Sequence, residues 1–212
     1  MRKLIMKMSI SIDGFVAGVN GETDWMFKSG DDHSRDWVLN ICASAGIHIM
    51  GRKTFEVMSS YWPTAKTPFA KAMNDIPKAV FTRKGYDPTA QGFSNLASFE
   101  QLNDQGSYAV NEKSNPAKSS WMNAQVFDGD LIAGIKELKG ESGSPIMAHG
   151  GAEFMRSLIE TGLIDEYYLV THPVALGSGL PIFNGLSKIL DLKLVDAQVF
   201  PGGVIAHSYR PA

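Results

Sequence analysis

Ile47-His48-Ile49-Met50-Gly51-Arg52-Lys53-Thr54 and Pro145-Ile146-Met147-Ala148-His149-Gly150-Gly151-Ala152-Glu153 are the two stretches that decide how this chain folds. Each reads as a short apolar strand, then glycine, then the first turn of a helix. A glycine joint at a helix N-terminus leaves backbone N–H groups free and lets an anion come close to the main chain. The first joint adds a planar guanidinium at Arg52, a point charge at Lys53 and a hydroxyl at Thr54, a set suited to phosphate. Its bland reading is a solvated basic turn with Thr54 as an ordinary N-cap. The second joint lacks the G-x-G-x-x-G spacing of a dinucleotide fingerprint and the Lys-Ser/Thr of a P-loop. Its bland reading is a tight turn that only glycine permits.

Working outward, Leu4, Met6, Met8, Ile10 and Ile12 alternate with Ile5, Lys7, Ser9 and Ser11, a period-two strand with one strongly apolar face. Asp13-Gly14 ends it, and Gly18–Gly30 reads as loop. Asp31 or Asp32 caps a helix running to about Ala45, with Trp37, Val38 and Ile41 inward. After the first joint the helix runs through Met58 and breaks at Tyr61-Trp62-Pro63. Strands are expected at Lys78–Thr82, Trp121–Phe127 and Tyr167–His172. Asp128 or Asp130 caps a helix closed by Gly140, and the second joint opens a helix stopped at Gly162. Lys193–Phe200 and Val204–Tyr209 flank Pro201-Gly202-Gly203 as a hairpin. This order predicts an α/β fold, a mainly parallel central sheet with helices on both faces and a C-terminal antiparallel hairpin. The stretch 86–120 is rich in Gly, Ser, Asn and Gln and carries no assigned element. It reads as an insertion in a single domain spanning 1–212.

The chain has 212 residues, is 44% hydrophobic and carries a formal net charge of −2, so it lacks the electrostatic footprint of a nucleic-acid or acidic-membrane binder. Cys42 is alone, which excludes an intrachain disulfide, and its apolar neighbours read as a buried structural thiol. The basic, apolar start is interrupted by Lys7 and Asp13 before a signal-peptide core can build, and no stretch approaches a membrane span. A cytoplasmic protein is expected. The five histidines are dispersed, so no metal is expected. No G-x-S-x-G elbow is present. Phe81-Thr82-Arg83-Lys84-Gly85 is a further hydroxyl-plus-cation cluster at a strand end, where open α/β sheets bind ligands. Acid–base candidates are Asp13, Asp24, Asp31, Asp32, Asp36, Asp165 and Glu166. The last two open a strand and read equally well as solvated.

Met8-Ser9-Ile10-Ser11-Ile12-Asp13-Gly14, Ile49-Met50-Gly51-Arg52-Lys53-Thr54, Ala148-His149-Gly150-Gly151, and Leu163–Tyr167 continuing to Pro173–Phe183 follow one another in a familiar order. In them the chain resembles the dihydrofolate-reductase-like superfamily, and more closely the C-terminal reductase domain of the bifunctional riboflavin-biosynthesis deaminase-reductase, here in stand-alone form. The resemblance implies NADPH as hydride donor. It implies that Gly51, Arg52, Lys53 and Thr54 hold the cofactor phosphates, with Thr82, Arg83 and Lys84 near the adenosine 2′-phosphate. Gly150, Gly151, Ala152 and Glu153 would border the pyrophosphate and nicotinamide. Asp13 and its loop would line the nicotinamide side, and Trp25 the substrate. The catalytic acid of dihydrofolate reductases has its nearest match in Asp36, with Asp31 and Asp32 competing and helix capping or solvation as the plain alternative. The zinc signature of the deaminase is absent, which leaves the reduction step alone. The implied substrates are 5-amino-6-(5-phosphoribosylamino)uracil or dihydrofolate, and the implied assembly is a homodimer. A nucleotide- or pterin-binding module without turnover is the alternative from another class.

Overall fold

A computed structural model describes residues 1–88 and 120–212. Its strands and helices are β1 (Leu4–Ser11), β2 (Phe15–Ala17), α1 (Trp25–Ser29), α2 (Asp32–Ser44), β3 (Ile47–Gly51), α3 (Arg52–Tyr61), α4 (Phe69–Asp75), β4 (Lys78–Phe81), β5 (Gln125–Phe127), α5 (Leu131–Gly140), β6 (Ile146–His149), α6 (Ala152–Glu160), β7 (Glu166–His172), β8 (Leu180–Pro181), β9 (Leu192–Val199) and β10 (Ile205–Pro211). Eight strands form one sheet in the order β5-β4-β3-β6-β1-β7-β10-β9. The run from β5 to β7 is parallel throughout. β10 is antiparallel to both β7 and β9. β2 and β8 pair separately. The expectation for 86–120 falls almost wholly on residues 89–119, outside the described residues.

Helices cover both faces, as the alternation of strands and helices predicts. On one face Ile135 and Leu138 of α5, with Met155, Leu158 and Ile159 of α6, pack on Leu4, Met6, Ile49, Ile146 and Ala148. Each such side chain, fully buried, contributes about 1.5–3 kcal/mol. On the opposite face Phe55 of α3 and Met73 of α4 pack on Met50 and Val80. There α2 sets Trp37 and Val38 against Val170, and Ile41 against Ile5 and Met147.

β1 is an interior strand, flanked by β6 and β7 and covered on both faces. Its alternation therefore does not mark a solvent side. Lys7, Ser9 and Ser11 share a face with Ile5 and turn toward the α2 layer.

Several boundaries shift for local reasons. Asp31 is the cap of α2, in a capping box with Ser34. Asp130 caps α5 by accepting from the Ala133 N–H at 2.8 Å. The strand expected at Trp121–Phe127 shrinks to β5, because Trp121 is buried against Phe55 and donates its indole N–H to Asn74 at 2.9 Å. α3 continues to Tyr61 before Pro63 ends it in a single 3-10 turn.

Asp165 and Glu166 are not solvated strand-openers. Glu166 is buried and accepts from Lys3 at 2.8 Å, Tyr168 at 2.8 Å and Arg210 at 3.0 Å. Asp165 accepts from the Leu4 N–H at 2.7 Å and pairs with the buried Lys139 at 2.5 Å. This ties α5, β1 and β7 together. Asp165→Ala is expected to cost about 2 kcal/mol, since it leaves a buried ammonium without its counter-charge. Urea unfolding measures this, and a loss below about 0.5 kcal/mol, the range of ordinary surface changes, would show the carboxylate to be dispensable.

Candidate functional site

β3 and β6 are neighbours in the sheet, with Ile47 opposite Ile146 and Ile49 opposite Ala148. The two glycine joints therefore leave the same sheet edge side by side. Their helices part there. α3 turns to the face of Met50 and Val80, and α6 to the face of Ile49 and Ala148. Such a parting opens a crevice at the carboxyl ends of the strands, where open α/β sheets bind ligands.

The joints touch. A Cβ added to Gly151 would lie 3.0 Å from Thr54 Oγ1, and one added to Gly51 would lie 2.9 Å from Phe154 Cβ. Glycine is needed here for close approach rather than for a left-handed backbone, since φ is −73° at Gly51 and −63° at Gly151. The Gly150–Gly151 peptide is cis. Neither helix start has a side-chain cap, so the first-turn N–H groups of both point into the crevice without an intramolecular partner from a side chain.

The two helix starts differ in charge. α3 opens with Arg52 and Lys53, whereas α6 carries Glu153 in its first turn. A phosphate is therefore favoured at the α3 start, and the α6 start offers mainly its backbone. Arg52 pairs with Glu56 at 3.2 Å on the surface, a contact weak enough to be exchanged for a phosphate. Ala152 is buried in the core, so only its backbone can face a ligand. β4 lies beside β3, with Phe81 opposite Gly51, and so Thr82-Arg83-Lys84 emerges next to the first joint. Thr82 closes its own turn, donating to the Lys84 carbonyl at 2.6 Å, while Arg83 and Lys84 are exposed.

The remaining expected residues have mixed placements. Trp25 is buried and meets the His172 ring edge-on at 5.4 Å. Asp13 clips the end of β1 to the following loop, accepting from Ser11 at 2.5 Å, Leu176 N–H at 3.2 Å and Gly177 N–H at 2.8 Å. The Ser11 hydroxyl, ahead of those amides, holds its carboxyl below the usual range. Asp36 is exposed on α2, because the helix turns Trp37 and Val38 toward the sheet and leaves Asp36 on the solvent side. Asp31 is engaged as the α2 cap and also accepts from the Gly202 N–H.

Beneath the crevice lies a buried polar floor that sequence reasoning missed. Lys7 is directly opposite His149 across β1 and β6, and Ser11 opposite His172 across β1 and β7. Lys7 donates to Ser9 at 3.3 Å. The His48 and His149 rings meet edge-on at 4.6 Å. His48 Nε2 lies 2.9 Å from the Cys42 carbonyl, so it carries the proton and Nδ1 is bare. His172 Nδ1 lies 2.9 Å from Ser29 Oγ. His48 Nδ1, His149 Nε2 and His172 Nε2 are buried without hydrogen-bond partners. The available signal was Lys7-x-Ser9-x-Ser11 itself, which becomes a site wall once β1 is known to be interior.

Burial sets the electrostatics of this floor. It pushes His48 down to about 3, with Lys78 adding to the effect, and His172 down to about 4, with Lys7 adding. Burial and the charges of His48, Lys7 and Lys78 hold His149 well below its ordinary value. Lys7 is also lowered by burial, against an opposing pull from Cys42. The Cys42 thiol is pushed up by burial. A surface cavity of about 440 Å³ lies elsewhere, between β5 and α5, but Asp128, Asp130 and Glu137 line it and disfavour an anion. Among the described residues no helix is long and apolar enough to cross a membrane.

The chain is 29% identical over 212 residues to YyaP of Bacillus subtilis (strain 168), covering 99% of this chain and 95% of that protein. YwjB of the same strain is 27% identical, with 99% and 98% covered. Among solved structures, a riboflavin biosynthesis protein described as putative from Shewanella sp. PV-4 superposes with a TM-score of 0.68 at 19% identity, over 100% of this chain and 99% of that one. The Thermotoga maritima diaminohydroxyphosphoribosylaminopyrimidine deaminase/5-amino-6-(5-phosphoribosylamino)uracil reductase gives 0.66 at 15% identity, and this chain spans 57% of it. A pyrimidine reductase-like protein from Corynebacterium diphtheriae gives 0.62 at 15% identity, over 92% of that chain. These likenesses show a dihydrofolate-reductase-like fold. The model of the RibD C-terminal domain matches residues 2–206, and the chain belongs to that family.

Proposed function

We propose that the protein is an NADPH-dependent reductase that transfers hydride to a small heterocyclic substrate. Membership of the RibD C-terminal domain family supports a riboflavin-pathway, pyrimidine reductase-like activity. The observation that carries the finer reading is the contact between the two uncapped helix starts, one of them flanked by Arg52, Lys53, Arg83 and Lys84. That cradle fits a dinucleotide. Its glycines leave no Cβ between backbone and pyrophosphate, and its cations suit a third phosphate on the ribose.

When bound, NADPH supplies the hydride from its nicotinamide ring. The chain's own residues bind and orient. The Gly51–Thr54 turn holds phosphate, Thr82, Arg83 and Lys84 hold the 2′-phosphate, and Gly150, Gly151 and the Ala152 and Glu153 backbone border the pyrophosphate. Trp25 and the Asp13-clipped loop exclude water from the reacting face. Lys7 keeps a proton at Nζ for the heteroatom next to the reduced carbon, since Asp36 is exposed. 5-Amino-6-(5-phosphoribosylamino)uracil is the first substrate to assay and dihydrofolate the second. The exposure of Asp36 is also what a binding module without turnover would display, and turnover of either substrate separates the two readings.

Titration with NADPH and NADH, followed by tryptophan fluorescence, tests the cofactor. NADPH is expected to bind at least about tenfold tighter than NADH, with affinity falling as salt rises. Arg52→Ala/Lys53→Ala should erase most of that preference. A folded protein that binds neither dinucleotide would refute the assignment.

A further inference from the structure

The cradle proposed for the dinucleotide lies at the ends of β4, β3 and β6, and the same sheet edge continues through β1 and β7. A substrate reduced beside Lys7 lies over this second half, against β1, β7, α1, α2 and the loop that follows β7. The two halves differ in charge. The cradle carries Arg52, Lys53, Arg83 and Lys84. Residues 8–46 carry Asp13, Glu22, Asp24, Asp31, Asp32 and Asp36 against Lys28 and Arg35, and residues 166–183 contain neither lysine nor arginine.

A phosphate is ordinarily held by open backbone amides together with arginine or lysine. In this half, amides suited to it already hold carboxylates of the chain. Asp13 accepts from the Leu176 N–H at 3.2 Å and the Gly177 N–H at 2.8 Å. Asp31 accepts from the Ser34 N–H at 2.8 Å, in the first turn of α2, and from the Gly202 N–H. The Ser11 hydroxyl, ahead of its two amides, lowers the Asp13 carboxyl, and the Ser34 and Gly202 amides lower that of Asp31, so both are ionised at neutral pH. The cations are engaged as well. Lys28 pairs with Asp24 at 3.1 Å. Arg35 pairs with Asp32 at 3.3 Å and donates to the Gly30 carbonyl at 3.0 Å. The side of α2 turned to the sheet presents Trp37, Val38, Ile41 and Cys42, none of them a cation. Arg156 reaches the loop after β7 from the α6 face, opposite to that of Lys7, and donates there to the Pro181 carbonyl at 3.3 Å.

An anionic arm on the substrate would thus meet fixed carboxylates where a phosphate site needs donors, and like charges held close cost affinity. We propose that the reductase takes a neutral heterocycle carrying neither a phosphate nor a glutamate tail, and that Asp13 and Asp31 set this specificity by occupying the amides an anion would use. The specificity rests on the reductase reading and narrows it to substrates without an anionic arm.

Two compound pairs test it, 5-amino-6-(5-phosphoribosylamino)uracil against the same compound after phosphatase treatment, and dihydrofolate against 7,8-dihydropterin. At saturating NADPH, kcat/KM is expected to favour the member without the anionic arm at least about tenfold, with the ratio narrowing as salt rises. Asp24→Asn/Asp32→Asn removes two exposed carboxylates and releases Lys28 and Arg35, so it should narrow the ratio at least about threefold while NADPH affinity holds. Equal or higher kcat/KM for the phosphate form would overturn the specificity and leave the reductase standing, and Lys66→Ala, in the exposed turn before α4, would then show whether that cation supplies the site. Turnover of none of the four by a protein that binds NADPH would instead fail the reductase reading. Tryptophan quenching of the NADPH complex then reads the same ratio as affinities, and binding of none of the four, or tighter binding of the anionic members, overturns the specificity.

Discussion

Acidification from pH 7.5 to 5 is expected to remove several kcal/mol of stability, before carboxylates begin to titrate. His48 is held at about 3 and His172 at about 4, and His149 lies well below its ordinary value, all chiefly through burial. In the unfolded chain the three revert to an ordinary histidine pKa of about 6.5. Above that value both states are neutral at these positions and the full stability is present. As pH falls below it, the unfolded chain binds protons that the folded chain refuses. Stability then drops by about 1.4 kcal/mol per pH unit for each histidine, until the folded pKa is reached. His48 and His172 alone amount to roughly 4 kcal/mol at pH 5, a large share of an ordinary domain's 5–15 kcal/mol, and His149 adds in the same direction. Urea midpoints measured every half pH unit check this. His48→Gln, which keeps a donor for the Cys42 carbonyl, should remove about 1.4 kcal/mol per pH unit from the slope. A stability that stays level from pH 7.5 to 5.5 would mean that the histidines are hydrated and protonated in the folded protein.

Lys7→Met is expected to separate stability from function. Lys7 is half-buried opposite His149 with Ser9 as its hydrogen-bond partner, and desolvation disfavours its charge. An apolar side chain of similar length relieves that desolvation, so stability should hold or rise by about 1 kcal/mol. Hydride transfer should fall by about 10²–10⁴-fold if the amine delivers the proton to the substrate heteroatom. NADPH affinity should change little, because the proposed phosphate cradle lies at the joints. Single-turnover NADPH oxidation with the pyrimidine substrate reads the loss, and Asp36→Asn in the same assay should stay within about twofold of wild type. A Lys7→Met variant at full rate would remove the amine from the proton path.

Much of the architecture was legible because it is encoded locally. The strand–glycine–helix joints, the Asp31 and Asp130 caps and the closing hairpin are each specified by residues within a few positions of one another. β1 was legible as a strand but not as an interior one, since period two describes one face and says nothing of what covers the other. α1, α4, β2 and β8 are short elements without a repeating apolar pattern. They persist through contacts with distant segments, as where Trp25 meets His172 and Met73 packs on Val80. The anion-suited residues at the two joints could be named from their chemistry. The floor could not, because Lys7, His48, His149 and His172 are scattered along the chain.

By itself the sequence determined the alternation of strands and helices, the two glycine joints with their cations, and membership of a reductase-like family. Tertiary structure alone decided the strand order, in which β6 inserts between β3 and β1 and brings joints a hundred residues apart into contact. It also decided that Asp36 is exposed while Lys7 is half-buried between β6 and β7. The physical reason is that hydrogen-bonding and capping preferences act over a few residues. Burial, and the pKa shifts that follow from it, are set by which distant side chains close over a group.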